Sequence, residues 1–192
     1  MYLKLDDGYA DGDLQLLAQH LERLDGALAG LNDRISASPD PDAEGLLDTG
    51  EYFIGAGFEA VQRYLSATYP HLEIAKSEAL TVPPDAGGGV SIVQAINAGA
   101  NYWKHLDEWG LRNIVVRDIN SLNRIARQTI ETIASLTPWA DYTCSNLLAA
   151  LTGAPDCSLG KLMPLVTEWR YNLNTRFERG RDLPNNEIHG TQ

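Results

Sequence analysis

The chain is poor in the residues that build small rigid sites. Two cysteines, Cys144 and Cys157, stand among 192 residues. They cannot supply a disulfide scaffold or a four-thiolate zinc centre, and their separation is not that of a CxxC motif. Reduced thiols are the expected state, with a Cys144–Cys157 disulfide as the alternative. Histidines number four. His20, His71 and His189 have no clustered ligand partners, so no metal site is expected. No apolar run approaches the roughly 20 residues of a membrane span, so a membrane is not among the expected partners. The opening segment MYLKLDDGYADGD lacks an apolar signal core, and the cytoplasm is the expected location. Gly87 to Gly89 is not followed by Lys-Ser/Thr, no dinucleotide-binding glycine pattern occurs, and no serine-hydrolase elbow is present. No cofactor is expected. Residues 6–13, DDGYADGD, are rich in oxygen ligands, but counted from Asp7 the third position is Tyr9. That breaks calcium-loop spacing and leaves a loop with a helix cap.

What is there is an ordinary globular composition with an uneven charge. Hydrophobic residues make up 44% and charged residues 21%, enough for one buried core without staples. The net charge is −11. Residues 1–103 hold 16 acids and 5 bases, whereas residues 104–192 hold 10 of each. The whole excess therefore sits in the first half. That half repels a nucleic-acid duplex, because non-specific affinity comes from Lys and Arg neutralising phosphates. It either serves solubility or offers an acidic face to a basic partner.

The hydrophobic pattern is helical almost throughout. Leu14, Leu17, Leu21, Leu24, Leu28, Leu31 and Ile35 alternate spacings of 3 and 4, one continuous stripe of a first helix. Asp11 or Asp13 caps its start. Gly26 and Gly30 share one face, either as a site of close helix approach or as tolerated glycines. Residues 36–45 form a proline-bearing linker. A second helix is expected over Glu51–Tyr69, with Asp48 and Glu51 at capping-box spacing and an inner stripe of Ile54, Phe58, Val61, Leu65 and Thr68. Residues 70–90 read mostly as loop, with VPPDAGGG its least regular part. A third helix is expected over Ser91–Trp109 and a fourth over Asp118–Leu136. A fifth runs from Thr137-Pro138 to Gly153, and a sixth carries Leu162, Val166, Trp169, Leu173 and Phe177. The one strand candidate, Tyr2 to Leu5, is too short to count on. The expected fold is all-α: an up-and-down bundle of five to six helices forming one domain over residues 1–179, followed by a loose tail over 180–192. Wide apolar stripes also suit a dimer built through helices.

The most informative stretch is 93–109, VQAINAGANYWKHLDEW. On a helical wheel, Ile92, Ala95, Ile96, Gly99, Tyr102, Trp103, Leu106 and Trp109 fall within an arc of about 140°. Gln94, Asn97, Asn101, Lys104, His105 and Glu108 lie opposite. Asn101 and His105 are i,i+4 neighbours, and His105 and Glu108 are i,i+3 neighbours. An imidazole titrates near pH 6.5 and can move a proton at neutral pH. Glu108 can orient it, Lys104 can hold a phosphate or a developing oxyanion, and Asn101 can fix a substrate oxygen. The plain alternative is the solvated face of an amphipathic helix.

The order Asn101, Tyr102, Trp103, Lys104, His105 on the third helix of an all-helical chain resembles the HEPN superfamily. Its motif is an arginine, a polar residue that is often Asn, a short spacer and a histidine. The resemblance implies a small helical bundle, often dimeric, and for many members metal-independent RNA cleavage in defence or toxin–antitoxin systems. In those members Arg and His of two protomers meet at a dimer cleft and cut RNA through its 2′-hydroxyl. Asn101 matches the polar position and His105 the histidine. Ala100 stands where the arginine belongs, and Lys104 offers a point charge without the guanidinium fork. A non-cutting relative is compatible with that departure, so enzymatic activity stays open.

Arg112, Arg117, Arg124 and Arg127 crowd sixteen residues that hold only one acid, Asp118. They either hold an RNA backbone near His105 or pair with the acidic first half. Two functions follow. One is a HEPN-like, RNA-directed protein of a prokaryotic defence or toxin–antitoxin system, with His105, Asn101, Lys104 and Glu108 as catalytic candidates and the four arginines as the nucleic-acid-binding ones. The other is a non-catalytic acidic helical module, a complex subunit, inhibitor or phage accessory protein, that binds a second copy or a protein partner through its helix faces.

Overall fold

The first leucine stripe folds as read. In the computed structural model, which describes residues 2–5, 8–111, 119–138, 141–154 and 156–181, the chain opens with an antiparallel hairpin of β1 (Tyr2–Leu5) and β2 (Gly8–Asp11). The short strand candidate therefore does find a partner. Helix α1 (Gly12–Ala37) follows at once. Asp11 is its cap, with Oδ1 accepting the Leu14 N–H at 3.0 Å, which satisfies one of the unpaired donors of a helix start. Leu17, Leu21, Leu28 and Leu31 are buried. Among the described residues nothing lies within 4 Å of a Cβ built on Gly26 or Gly30, so no described helix approaches closely there.

Helix α2 (Leu46–Thr68) begins five residues before the expected Glu51. Its cap is Gly45, at φ +67°, and no capping box forms. The inner stripe of Ile54, Phe58, Val61, Leu65 and Thr68 is buried as expected. Packing runs antiparallel to α1. Leu31, late in α1, touches the position of Gly50 early in α2. The Tyr64 hydroxyl, late in α2, donates to Asp11 at 2.7 Å. A 3-10 turn over Tyr69–Leu72 stops the helix. Residues 70–90 are more ordered than a loop. They hold the single-turn helix α3 (Lys76–Ala79) and an antiparallel hairpin of β3 (Asp85–Gly87) and β4 (Val90–Ser91). Gly87, Gly88 and Gly89 all take positive φ, a reversal that side chains would strain. Pro83 and Pro84 lie just before the paired residues and do not block them.

Helix α4 (Ile92–His105) starts on its expected cap, Ser91, whose Oγ accepts the Gln94 N–H at 3.1 Å. It ends four residues short of Trp109. The chain then turns, with the Leu111 N–H donating to Leu106 O at 2.9 Å and Gly110 at φ +65°. The expected two-faced wheel needs correcting. Val93, Ala98 and Ala100 are buried along with Ile92, Ala95, Ile96, Gly99 and Tyr102, because α4 is the central helix. Small residues permit this. A Cβ on Gly99 would lie 2.9 Å from Leu147 and 3.0 Å from Phe58, and one on Gly55 would lie 2.2 Å from the Trp103 ring.

Helix α5 (Arg124–Ala134) is shorter than expected and is capped by Asn123, whose Oδ1 accepts the Ala126 N–H at 2.9 Å. The expected start at Asp118 lies outside the described residues, as do Arg112, Arg117 and Trp139. Helix α6 (Thr143–Thr152) starts at Thr143, not Thr137, and ends on Gly153 as read. Glu51 holds its first turn. The carboxylate accepts the Cys144 N–H at 2.6 Å, the Ser145 N–H at 2.9 Å and the Ser145 hydroxyl at 2.8 Å. A negative charge there also meets the positive end of the helix. Asp25 does similar work before α7 (Leu162–Arg181), accepting the N–H groups of Leu159 at 2.7 Å and Gly160 at 2.8 Å. Leu162, Val166, Trp169 and Leu173 are buried, and the Trp169 indole donates to Ala79 O at 2.9 Å. The Phe177 side chain and the tail from residue 182 lie outside the described residues. Buried side chains from all the major helices form one core cluster, an all-α bundle.

Candidate functional site

An amide side chain sits inside the buried stripe of α2. Gln62 is 8% exposed and faces the polar strip of α4. Its Nε2 donates to Asn97 Oδ1 at 3.0 Å and to Asn101 Oδ1 at 2.9 Å. Its Oε1 accepts the Lys104 ammonium at 2.5 Å. A buried amide must be satisfied at both ends, and this one is. The consequence lies on α4. Both asparagine oxygens are taken by one donor, so each asparagine keeps its Nδ2 amino group for another acceptor. Neither Nδ2 has a partner among the described residues.

Asn97 and Asn101 border a cleft of about 560 Å³ between α3, α4 and α5. Its walls carry Lys76 from α3, Gln94, Asn97 and Asn101 from α4, and Arg124 and Gln128 from α5. No carboxylate stands among the lining residues, in a chain with 26 acids. Glu78, two residues from Lys76, is engaged with the Arg176 guanidinium at 3.1 Å. Partial loss of hydration, followed by repulsion from Lys104, lowers the pKa of the Lys76 ammonium. One ammonium group and one guanidinium are thus held on the walls of a space rich in amide side chains, with the Lys104 ammonium behind it on Gln62.

The expected strip divides at its end. Asn101 and Lys104 belong to the cleft and its network. His105 and Glu108 form a separate pair, with Nδ1 2.7 Å from Glu108 Oε2. The imidazole stacks on Trp109, ring centroids 4.8 Å apart and planes 19° from parallel. Trp109 is buried, His105 half-exposed and Glu108 exposed. His105 Nε2 has no partner among the described residues. The pair can orient one proton-transfer group at the surface, but it does not line the cleft.

No family model, curated protein or solved structure matches this chain. The site therefore stands on its own chemistry. Of the four arginines, Arg112 and Arg117 lie outside the described residues. Arg124 lines the cleft. Arg127 is turned inward, donating to Asn120 O at 2.9 Å, and so braces the turn before α5. Sequence reasoning missed Gln62, Lys76 and Gln128. The signal for Gln62 was an amide four residues after Phe58 and next to Val61, inside a largely apolar stripe. Lys76 was hidden in a segment read as loop.

The two thiols are free. Burial, then the Glu51 carboxylate, pushes the Cys144 thiol well above its ordinary pKa, so it is held as an inert thiol. Among the described residues no three metal-ligating side chains come together, and no helix is long and apolar enough to cross a membrane.

Proposed function

We propose that this is a HEPN-like, RNA-directed helical bundle of a prokaryotic defence or toxin–antitoxin system, and that it binds RNA without cutting it. The observation that carries this reading is the cation-edged, carboxylate-free cleft beside the Gln62 network. An RNA strand presents phosphate charge to Lys76 and Arg124 and hydrogen-bond acceptors to the amides. The acidic remainder of the surface repels nucleic acid and so concentrates binding at this one place. Ala100, at the position where the resemblance puts arginine, has no exposure at all. No cation can be offered from there. His105 lies outside the cleft, tied to Glu108 and stacked on Trp109. Both facts favour binding over cleavage.

The test is incubation of the protein with single-stranded RNA at neutral pH, read by anisotropy and by gel. Binding with intact RNA, weakened by Lys76→Gln and Arg124→Gln, is the expected result. Cleavage by the wild type that His105→Ala abolishes overturns the non-cutting reading. Absence of any binding overturns the RNA reading.

A second reading is the acidic protein-interaction module, acting on a second copy or a protein partner. The segregation of all the excess charge in residues 1–103 favours it, together with the exposure of Leu16 (64%) and Tyr52 (61%). It predicts a complex weakened by salt and by neutralising Asp and Glu within residues 6–51. A salt-insensitive complex contradicts its electrostatic form.

A further inference from the structure

We propose that the cleft between α3, α4 and α5 receives a terminal phosphate monoester: the phosphorylated end of an RNA strand or a free nucleoside monophosphate, in preference to an internal phosphodiester. This deepens the RNA reading and, for the strand-end source, rests on it.

Three features point to a ligand of high charge and many acceptors. Lys76 and Arg124 line the cleft and Lys104 lies near enough to Lys76 to repel its charge, with no carboxylate on the walls to neutralise them. An internal phosphodiester brings a single negative charge, whereas a phosphate monoester carries between one and two, about −1.5 to −2 near neutral pH, and three terminal oxygens. The second feature is the orientation of the asparagines. Gln62 Nε2 occupies Asn97 Oδ1 and Asn101 Oδ1, so two amino groups one helical turn apart are left as donors on the same wall. Hydrogen bonds from amides and ammonium groups to a charged oxygen are the strong class. The third is size. A space of about 560 Å³ falls within the roughly 300–1,000 Å³ of small-ligand pockets. It suits one nucleotide unit held at its end. Lost hydration and then Lys104 lower the Lys76 pKa in the free protein, and a dianion nearby favours the charged ammonium again.

The experiment measures anisotropy on one short single-stranded RNA sequence bearing 5′-phosphate, 3′-phosphate or only hydroxyl ends. Adenosine monophosphate and inorganic phosphate serve as competitors. The expected result is affinity about tenfold or more higher for one phosphorylated end. That preference should be lost in Asn101→Asp, which keeps an acceptor for Gln62 but removes the amino group. Arg124→Gln, at an exposed position, gives an independent variant if Asn101→Asp does not fold. Equal binding of all three RNAs overturns this inference and leaves the RNA reading standing. Binding of adenosine monophosphate without any RNA supports the cleft chemistry from the free-nucleotide source and overturns the RNA reading. A preference that survives in both variants places the phosphate elsewhere and overturns the inference, as does failure of every probe to bind.

Discussion

Glycine to alanine changes at four helical positions should split cleanly by sign. In α1, Gly26 and Gly30 have nothing within 4 Å of an added Cβ. Alanine there gains only its better helix propensity, about 1 kcal/mol per site. The double variant should gain about 2 kcal/mol, or roughly 4–8 °C in Tm for a chain of this size. Gly99 gains the same propensity, but its Cβ meets Leu147 at 2.9 Å and Phe58 at 3.0 Å, both fully buried. Overpacking costs about 1–3 kcal/mol, so the net is a loss of about 1 kcal/mol. Gly55 is worse. The Cβ would lie 2.2 Å from the Trp103 ring, so the indole must swing out and abandon its edge contact with Tyr52, at a centroid distance of 5.5 Å. A net loss of about 2 kcal/mol is expected. Urea unfolding of the double variant and of the two single variants reads these values directly. A destabilised Gly26/Gly30 double variant means that something covers that face of α1. A neutral Gly55→Ala means that Trp103 does not lie over α2, and the placement of Lys104 one residue later loses its support.

Three further outcomes follow from the same contacts. Glu51→Gln removes the charge that holds the start of α6 and should cost about 1–3 kcal/mol by thermal or urea unfolding; a neutral result removes Glu51 as the brace between α2 and α6. Tyr64 has its pKa raised, first by burial and then by its hydrogen bond to Asp11. Its contribution to stability is complete below the unfolded value of about 10 and is lost as pH rises beyond it. Tyr64→Phe should therefore flatten the alkaline limb of the stability profile, and an unchanged limb refutes the assignment. Lys76 has its pKa lowered by lost hydration and then by Lys104. Between that lowered value and the ordinary one, the unfolded state holds the extra proton, so the free protein gains stability as pH rises there. Phosphate binding, which uses the ammonium, should weaken across the same window, and less so in Lys76→Gln, by titration calorimetry.

The fold was legible wherever one large apolar stripe met a good cap. The α1 leucines with Asp11, Ser91 before α4 and Gly153 after α6 are such places. It was less legible where the deciding partner lies far along the chain. Glu51 has capping-box spacing from Asp48, yet the carboxylate serves the amides of residues 144 and 145. Nothing local distinguishes the two uses. The wheel of α4 misled for a different reason. Counting large apolar residues marks one face, but Ala98, Gly99 and Ala100 let neighbouring helices close over the others. Half of the candidate site was visible as the α4 strip of Asn97, Asn101 and Lys104. The rest needed the tertiary fold to bring Gln62, Lys76 and Arg124 to it, and to carry His105 away onto Trp109.

The most direct measurement is the side-chain amide spectrum of nitrogen-15-labelled protein titrated with single-stranded RNA. The amino resonances of Asn97, Asn101, Gln94 and Gln128 should move together and saturate, while those of Asn32 on α1 stay fixed. Shifts confined to α1 or to the Trp109 indole, with the four cleft amides unmoved, would contradict the account.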